Sequence, residues 1–579
     1  MMMVSCLDTI ILPDDKTVDE DFWQNKQQVA SMVTAAYAAM ASNDVMGKLI
    51  VWGDFRTDEL LGPSDNVDVS TTTQALNEIS AVNMQTTNQY AQWSSLYAVI
   101  NRCNIVLERA EAVMNVDPNY TIGDYQVDRS QMLALRALCY FYLVRNFRDV
   151  PYITVAYMNS SQDMQVAQSA PAYVLGQCIA DLEEAAQTAL DARGYSTSEW
   201  QRVGWMTNDA IHTLLADIYL WRASVTHSLA DYQQCVAYCD KVIASKKTQH
   251  VRGRNEVTEK EYPLADAADM YEELFVEQNA EESIFELQSR SNTAVVQYYY
   301  KYKSFTGNSG EGWLNATPIF GNVASVYNLT TSMSNSTLYA QGDLRYYASC
   351  YIPSTSEATY GVRKMLSLSP IVSATTTKRE DLGNGGLDHN FNIYRLTDVM
   401  LMKAEALVQQ VDTLSESSVQ EELLHNAFSL IQAVNSRALV QSSQGDSLKW
   451  NGSTAATRFR TLSKDQFEEL VMQERLREFC FEGRRWYDLM RYNYRHVEGV
   501  DYNRTLAEIA DGGTAMVANY PNMLTLMTRQ RGTEASGVIA KMANEAFLYM
   551  PIPNSDIVVC PVLRQNPVYK DSKEYEKTY

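Results

Sequence analysis

The chain has 579 residues and a formal net charge of −22, and hydrophobic residues make up 46% of it. Such an acidic chain repels phosphate backbones, and no Lys/Arg-rich run supplies a local basic patch, so nucleic acid is not an expected partner. No uninterrupted apolar run approaches the ~18 residues that span a bilayer, while the apolar content suffices for a packed core and excludes a disordered chain.

The opening MMMVSCLDTIILPDD places Ser5 directly before Cys6, a local pattern of bacterial lipoprotein processing, although too few residues precede Cys6 for the basic and apolar leader which that processing needs. Residues 21–40 set Val29, Met32, Val33, Ala36, Tyr37 and Met40 at the three-and-four spacing of a helical face, and 89–113 and 128–146 repeat the pattern. Between the first two helices lies a polar stretch, 54–88, too long for a simple connector and therefore expected to be a functional loop. Helices follow over 171–190, 205–224 and 231–245, with Ala where neighbours can approach, and again over 394–407 and 423–438; both sets resemble tetratricopeptide-type hairpins.

Residues 246–393 break this pattern with a short strand at 282–288, a tyrosine run at 297–305 and the turn Asn384-Gly385-Gly386. After a helix over 464–492 the tail 493–579 is loop-rich, and the prolines within 547–569 suit an extended wrap. No linker divides the chain, so one unit over 1–579 is expected: a mainly α fold, with helical part 21–245, a loop-rich and partly β insertion 246–393, C-terminal helix pairs 394–492 and the tail.

Several chemistries find no support. The chain lacks HExxH, a P-loop and a strand–GxGxxG–helix arrangement, so no cofactor is expected. GNSGEG at 307–312 departs from a nucleophile elbow at Glu311 and stands in a loop. Cys103, Cys139, Cys178, Cys235 and Cys480 fall in apolar helical stretches and are expected as buried free thiols; Cys235 and Cys239 share a helix face, but no third ligand completes a metal site.

The densest charge is at 474–491, ERLREFCFEGRRWYDLMR. On one helix Glu474, Glu478 and Glu482 share a face, and Arg475–Glu478, Glu482–Arg485 and Arg484–Asp488 stand at pairing distance. Acids paired this way are held ionised, whereas a general acid needs a raised pKa and a glycosidase needs carboxyls across a cleft. With Phe479, Phe481, Trp486 and Leu489 interleaved, this reads as a half-buried structural helix.

The same stretch resembles the signature helix of the RagB/SusD family of nutrient-binding outer-membrane lipoproteins of Bacteroidetes. SCLDTIILP, WGDFRTDE (52–59), WSSLYAVINRCNIVLE (93–108), LALRALCYFYLVRNFRDVPYI (133–153), ESIFELQ, GDLR (342–345), YRLTDVMLMKAEAL and the closing LYMPIP and QNPVY fall in the family's order. The resemblance implies four tetratricopeptide-like helix pairs beneath a loop-rich ligand face. It also implies lipidation at Cys6, an outer-membrane location at the cell surface, and non-catalytic capture of glycan for a SusC-like TonB-dependent transporter.

Peptide binding on the same scaffold is the alternative, and a glycoside hydrolase is the third reading. The family's ligand contacts imply 60–92 and 290–320 here. The second segment holds Tyr298, Tyr299, Tyr300, Tyr302 and Trp313, fitting a stacking platform for sugar C–H faces, and the first offers Asn83, Gln85 and Asn88 as hydroxyl partners. The first segment has no aromatic before Tyr90, and Trp93 is expected to pack within its helix.

Overall fold

The computed structural model describes residues 22–62, 71–159, 161–196, 198–253, 261–266, 269–288, 314–320, 338–339, 342–351, 361–362, 364, 390–411, 416–439, 448–452, 459–514 and 535–569. Helix α1 (Lys26–Met40) starts at a reciprocal cap between Asn25 and Gln28, and α2 (Asn43–Ile50) runs into a π-helical turn, Val51–Phe55. After strand β1 (Leu60–Leu61) come α3 (Thr71–Ser80), α4 (Ser94–Val113) and α5 (Ile122–Phe147), the last capped by Thr121 and Asp124. A hairpin of β2 (Val150–Pro151) and β3 (Gln168–Ser169) leads to α6 (Pro171–Ala185), whose proline occupies the first turn, where no N–H is needed.

A single turn, α7 (Gln201–Gly204), precedes α8 (Asn208–Thr226) and α9 (Leu229–Gly253). The helix predicted over 205–224 therefore begins three residues later, at Asn208, because the extended backbone of Trp205 and Thr207 separates α7 from α8. Strand β4 (Ser283–Leu287) pairs antiparallel with β8 (Phe391–Arg395), and β5 (Asn315–Ala316) pairs with β1. Short pieces α10 (Leu344–Ser349), β6 (Cys350–Tyr351) and β7 (Gly361–Val362) lie between β5 and β8. Helices α11 (Leu396–Gln409), α12 (Ser417–Arg437), α13 (Lys464–Phe479) and α14 (Arg485–Arg495) follow, then α15 (Leu506–Asp511), α16 (Ala535–Met542) and α17 (Asn554–Val559).

The long helices pack in sequence: α1 on α4, α4 on α5, α5 on α6, α6 on α8, α8 on α9, α9 on α11 and α11 on α12. This is the expected stack of helix pairs, in which each helix lends one face to the pair before it and another to the pair after. Helix α5 shows the consequence. Every residue from Ser130 to Phe147 is buried, so its simple amphipathic pattern describes only one of two covered sides. Cys103, Cys139, Cys178, Cys235, Cys239 and Cys480 are free and buried. No helix among the described residues is long and apolar enough to cross a membrane.

Residues 545–569 run over the α4–α5 end of the stack. Trp93 Nε1 donates to Asp556 at 2.6 Å, Met550 N to the Asn146 carbonyl at 2.8 Å, and Arg56 reaches the Leu548 carbonyl at 2.9 Å. Trp93 is 4% exposed and lies against Phe147 and Tyr97, a packing residue as its helical position predicts. With Tyr97, Ile153, Tyr157, Met164 and Asp556 it also walls an apolar cleft of about 330 Å³.

Candidate functional site

The charged stretch is not one helix. Helix α13 stops at Phe479, and α14 begins at Arg485 after a turn in which Phe481 (φ 63°) and Gly483 (φ 75°) take left-handed conformations. WGDFRTDE explains why a phenylalanine tolerates that conformation, which costs on the order of 1–3 kcal/mol. Asp54 accepts the N–H groups of Gly483 and Arg484 at 2.7 and 2.9 Å, Glu59 accepts that of Phe481 at 3.1 Å, and Asp58 takes the Arg485 guanidinium with two bonds of 2.9 Å. Asp54, Arg56, Thr57, Asp58 and Glu59 are all buried, so the first part of the predicted polar loop 54–88 is a plug in the scaffold, and α3 occupies much of the rest.

The break also replaces the local pairs predicted along the helix with partners far apart in sequence. Glu478 meets Arg345, Arg395 and Arg437; Glu482 meets Arg395 and Lys364; Arg475 bridges Asp398 and Asp488; Arg484 meets Asp398. Near-neighbour pairs do form, at Glu474–Arg477 and Asp488–Arg491. The helix is wholly buried from Glu474 to Phe479 rather than half-buried.

One set of groups links Arg345, Lys364, Arg395, Arg437 and Arg477 with Glu282, Asp343, Glu474, Glu478 and Glu482, matching each cation with a carboxylate. Burial alone would raise the Glu474 carboxyl, but Arg345 and Arg477 outweigh it and hold the group below the usual carboxylate range. Glu478 and Glu482 are likewise held below that range by their cationic neighbours, so the glutamates of the signature stretch serve ion pairing. Glu59 is different: burial, then the Asp54 charge, push its carboxyl well above the usual range. At 1% exposure it has no route to a substrate.

Above this network the two segments implied by the family resemblance are joined. Leu60 pairs with Ala316 and Leu61 with Asn315, while Thr317 donates its N–H to the Glu59 carbonyl at 2.8 Å and its hydroxyl to the Asp58 carbonyl at 2.6 Å. Residues that cap the signature turn thus also anchor the bases of 60–92 and 290–320 side by side. Nothing in the sequence pattern reveals that pairing, because two-residue strands carry no readable period.

Trp313, Tyr298, Tyr299, Tyr300 and Tyr302, like Cys6, lie outside the described residues. Asn83 and Gln85 are exposed at the turn after α3, where Lys541 donates to the Val82 carbonyl and to Asn83 Oδ1 at 2.9 and 3.3 Å. Asn88 does not belong with them. It is 3% exposed, its amide donates to the Ala75 carbonyl and Glu78 at 3.0 and 2.9 Å, and its oxygen accepts from Tyr90 N. An Asn side chain that closes a turn in this way stabilises the loop instead of meeting a ligand. Tyr90 is likewise buried.

A stack of paired helices that carries inserted segments over a buried ion network defines a scaffold of the tetratricopeptide-like class. The SusD family profile matches residues 277–569, and a profile described as starch-binding associating with outer membrane matches residues 11–220. The chain belongs to the SusD family. SusD-like protein P38 of Formosa agariphila is 24% identical over 502 residues, which span 83% of this chain and 86% of that protein. A SusD-like protein from Bacteroides fragilis superposes with a TM-score of 0.64 at 16% identity, over 95% of this chain and 99% of that one. A structure described as a laminarin-binding SusD-like protein superposes with a TM-score of 0.58 at 19% identity, over 94% and 100% of the two chains. At these identities the structural likeness establishes the fold.

Proposed function

We propose that the protein binds glycan at the cell surface and passes it to a TonB-dependent transporter in the outer membrane, to which Cys6 ties it through a lipid, and that it catalyses no reaction. The observation that carries this reading is membership of the SusD family combined with the β1–β5 pairing, which brings the bases of the two ligand segments together. The starch-binding description of the N-terminal match and the laminarin-binding relative support glycan as the ligand class. Buried, ion-paired carboxylates in the charged stretch support binding without hydrolysis.

In this reading Trp313 with Tyr298, Tyr299, Tyr300 and Tyr302 forms the stacking platform, and Asn83 and Gln85 supply hydroxyl contacts. Trp313→Ala is expected to weaken glycan binding at least tenfold, about 1.4 kcal/mol, without lowering the melting temperature. Affinity gels and calorimetry across a panel of polysaccharides and peptides test the ligand class. Retention by peptides alone would replace glycan with peptide, and a steady release of new reducing ends from any polysaccharide would overturn the non-catalytic assignment.

A further inference from the structure

The apolar cleft between α4, the β2–β3 hairpin and residues 556–563 uses its polar groups to hold its own wall. The Asn101 amide donates to the Tyr157 carbonyl at 2.8 Å and accepts the Tyr157 N–H at 2.7 Å. Asn104 donates to the Ile153 and Val155 carbonyls, both at 3.2 Å, and accepts from Arg136 at 2.9 Å, while the Tyr97 hydroxyl donates to the Pro151 carbonyl at 2.7 Å. The rest of the lining is hydrocarbon and ring surface, from Ile100, Pro151, Met164, Val166 and Leu563 among others. A sugar needs free donors and acceptors for its hydroxyls, and the amides and ring hydroxyl of this cleft are not free to meet them.

The rim is apolar as well, and it is exposed. Val155, Met164, Val558, Val559 and Val562 are 54, 46, 66, 75 and 45% exposed, half of the large apolar side chains that the described residues leave in solvent. Hydrogen bonds set the two segments that carry most of them edge to edge: Gln165 Nε2 donates to the Val559 carbonyl at 3.1 Å, Gln168 Nε2 to the Arg564 carbonyl at 2.7 Å, and Gln168 Oε1 accepts the Arg564 N–H at 3.0 Å. A single exposed valine is ordinary, but five around one cleft form a patch of the kind that marks an interaction surface. Charge is nearly missing from it. Residues 151–173 and 551–563 hold one charged side chain each, Asp163 and Asp556, in a chain of which 20% is charged. A charge-depleted centre that holds Trp, Tyr and Met has the composition of a protein–protein interface.

We infer that this face docks the transporter proposed above, which places an apolar side chain in the cleft and a Lys or Arg beside it. The partner's identity rests on that reading, and its chemistry on this face. Neither Asp163 nor Asp556 has a cationic partner among the described residues: Asp163 accepts the Gln165 N–H at 2.9 Å, and Asp556 accepts from Trp93 Nε1 at 2.6 Å and the Ser555 hydroxyl at 3.1 Å. The arginines of the flanking segments are engaged elsewhere, Arg564 with Asp511 and Arg102 with the Ala98 carbonyl at 2.9 Å. Two uncompensated carboxylates beside an apolar surface favour a partner that brings cations. They weigh against two other occupants. A second copy, itself of net charge −22, would set the same acids against each other across a two-fold contact. A lipid surface is held through Lys and Arg around the apolar patch, and this rim is acidic.

The test uses tagged protein in detergent-solubilised outer membranes of cells that make it together with the TonB-dependent transporter, and reads the transporter retained per mole of protein. Val559→Asp and Met164→Asp are each expected to retain about tenfold less transporter, Asp163→Lys about threefold less, and Val559→Ile as much as wild type, all with melting temperature and glycan affinity unchanged. Val419→Asp is the control, since Val419 is 47% exposed on α12, at the other end of the helix stack, and this variant is expected to behave as wild type. Should Val559→Asp lower the melting temperature, Met164→Asp and Asp163→Lys carry the test alone. Wild-type retention in Val559→Asp and Met164→Asp would overturn the docking face and leave the transporter reading intact, whereas a wild-type protein that retains no transporter would overturn both. Loss of glycan affinity with the transporter still held would make the cleft a ligand contact and overturn the docking. So would a wild-type dimer in sedimentation that Val559→Asp dissociates, or flotation of Cys6→Ser protein on phosphatidylethanolamine–phosphatidylglycerol vesicles that Val559→Asp abolishes. Unchanged retention in Asp163→Lys would overturn the basic neighbour.

Discussion

Gly53→Ala is expected to destabilise the protein by more than about 4 kcal/mol, the largest effect of any single methyl group in the described scaffold. A Cβ on Gly53 would lie 1.9 Å from the Gly483 carbonyl oxygen, 2.1 Å from its carbon and 2.6 Å from its Cα. These are backbone atoms, so no rotamer change relieves the clash. Gly483 cannot retreat either. Its N–H is bonded to Asp54 at 2.7 Å, its φ of 75° is one that L side chains rarely adopt, and the Leu49 carbonyl oxygen stands 3.2 Å from where its own Cβ would be. Moving the turn would break the Asp54 bonds and expose the buried Arg485–Asp58 pair. Gly176, within α6, provides the contrast. Nothing lies within 4 Å of its Cβ position, and alanine there should be neutral or stabilising by up to about 1 kcal/mol. Urea unfolding of the two variants side by side is the measurement, and similar midpoints would show that the two chain segments do not approach as described.

That contact illustrates what was legible in the sequence and what was not. Helices whose faces repeat every three or four residues, such as Val29–Val33–Ala36–Met40, can be read directly, because burial on one side imposes the period. Caps fix their starts, as Ser463 and Gln466 do for α13. The charged stretch could be recognised as structural from its pairing density, but its break at Cys480–Arg484 could not. Arginines at 475, 484 and 485 and glutamates at 478 and 482 satisfy local spacing as well as distant partners, and helical spacing alone does not decide between them.

The polar run after Trp52 misleads for a related reason. A buried acid that receives backbone N–H groups has the same composition as a solvated loop, and only the fold shows that Asp54, Asp58 and Glu59 face the signature turn. Asn88 makes the same point on a smaller scale, since its side chain suits a sugar hydroxyl and a turn closure equally well.

Arg395→Met is expected to cost about 3–5 kcal/mol at neutral pH, and the loss should shrink as the solution is acidified. Arg395 is 1% exposed and reaches Glu282 at 2.8 Å, Glu478 at 2.5 Å and Glu482 at 2.9 Å, with its guanidinium 4.5 Å from the Phe479 ring centre. In the intact protein burial works to raise the Glu482 carboxyl, but Arg395 and Lys364 outweigh it and keep it below the usual range. Burial is likewise outweighed at Glu478, by Arg437, Arg395 and Arg345, and that carboxyl lies well below the range. Carboxyls depressed in this way contribute stability that is fully present above the unfolded value, about 4.3, and is lost as pH falls through the folded pKa.

Without Arg395 the balance at Glu482, left with Lys364 as its ion-pair partner, tips toward burial and its folded pKa moves upward, whereas Glu478 keeps Arg437 and Arg345. A folded state that takes up protons more readily than the unfolded chain is favoured as pH falls, so the variant recovers part of its deficit between about pH 7 and pH 4.5. Glu482→Gln is milder, about 1–3 kcal/mol, because the amide still accepts one bond from Arg395, which keeps Glu282 and Glu478, and the loss falls on Lys364, whose carboxylate partner is Glu482. Urea unfolding at the two pH values distinguishes charge from packing. A deficit that stays constant on acidification would assign the loss to the methylenes and the Phe479 contact, and the ion network would then be incidental to stability.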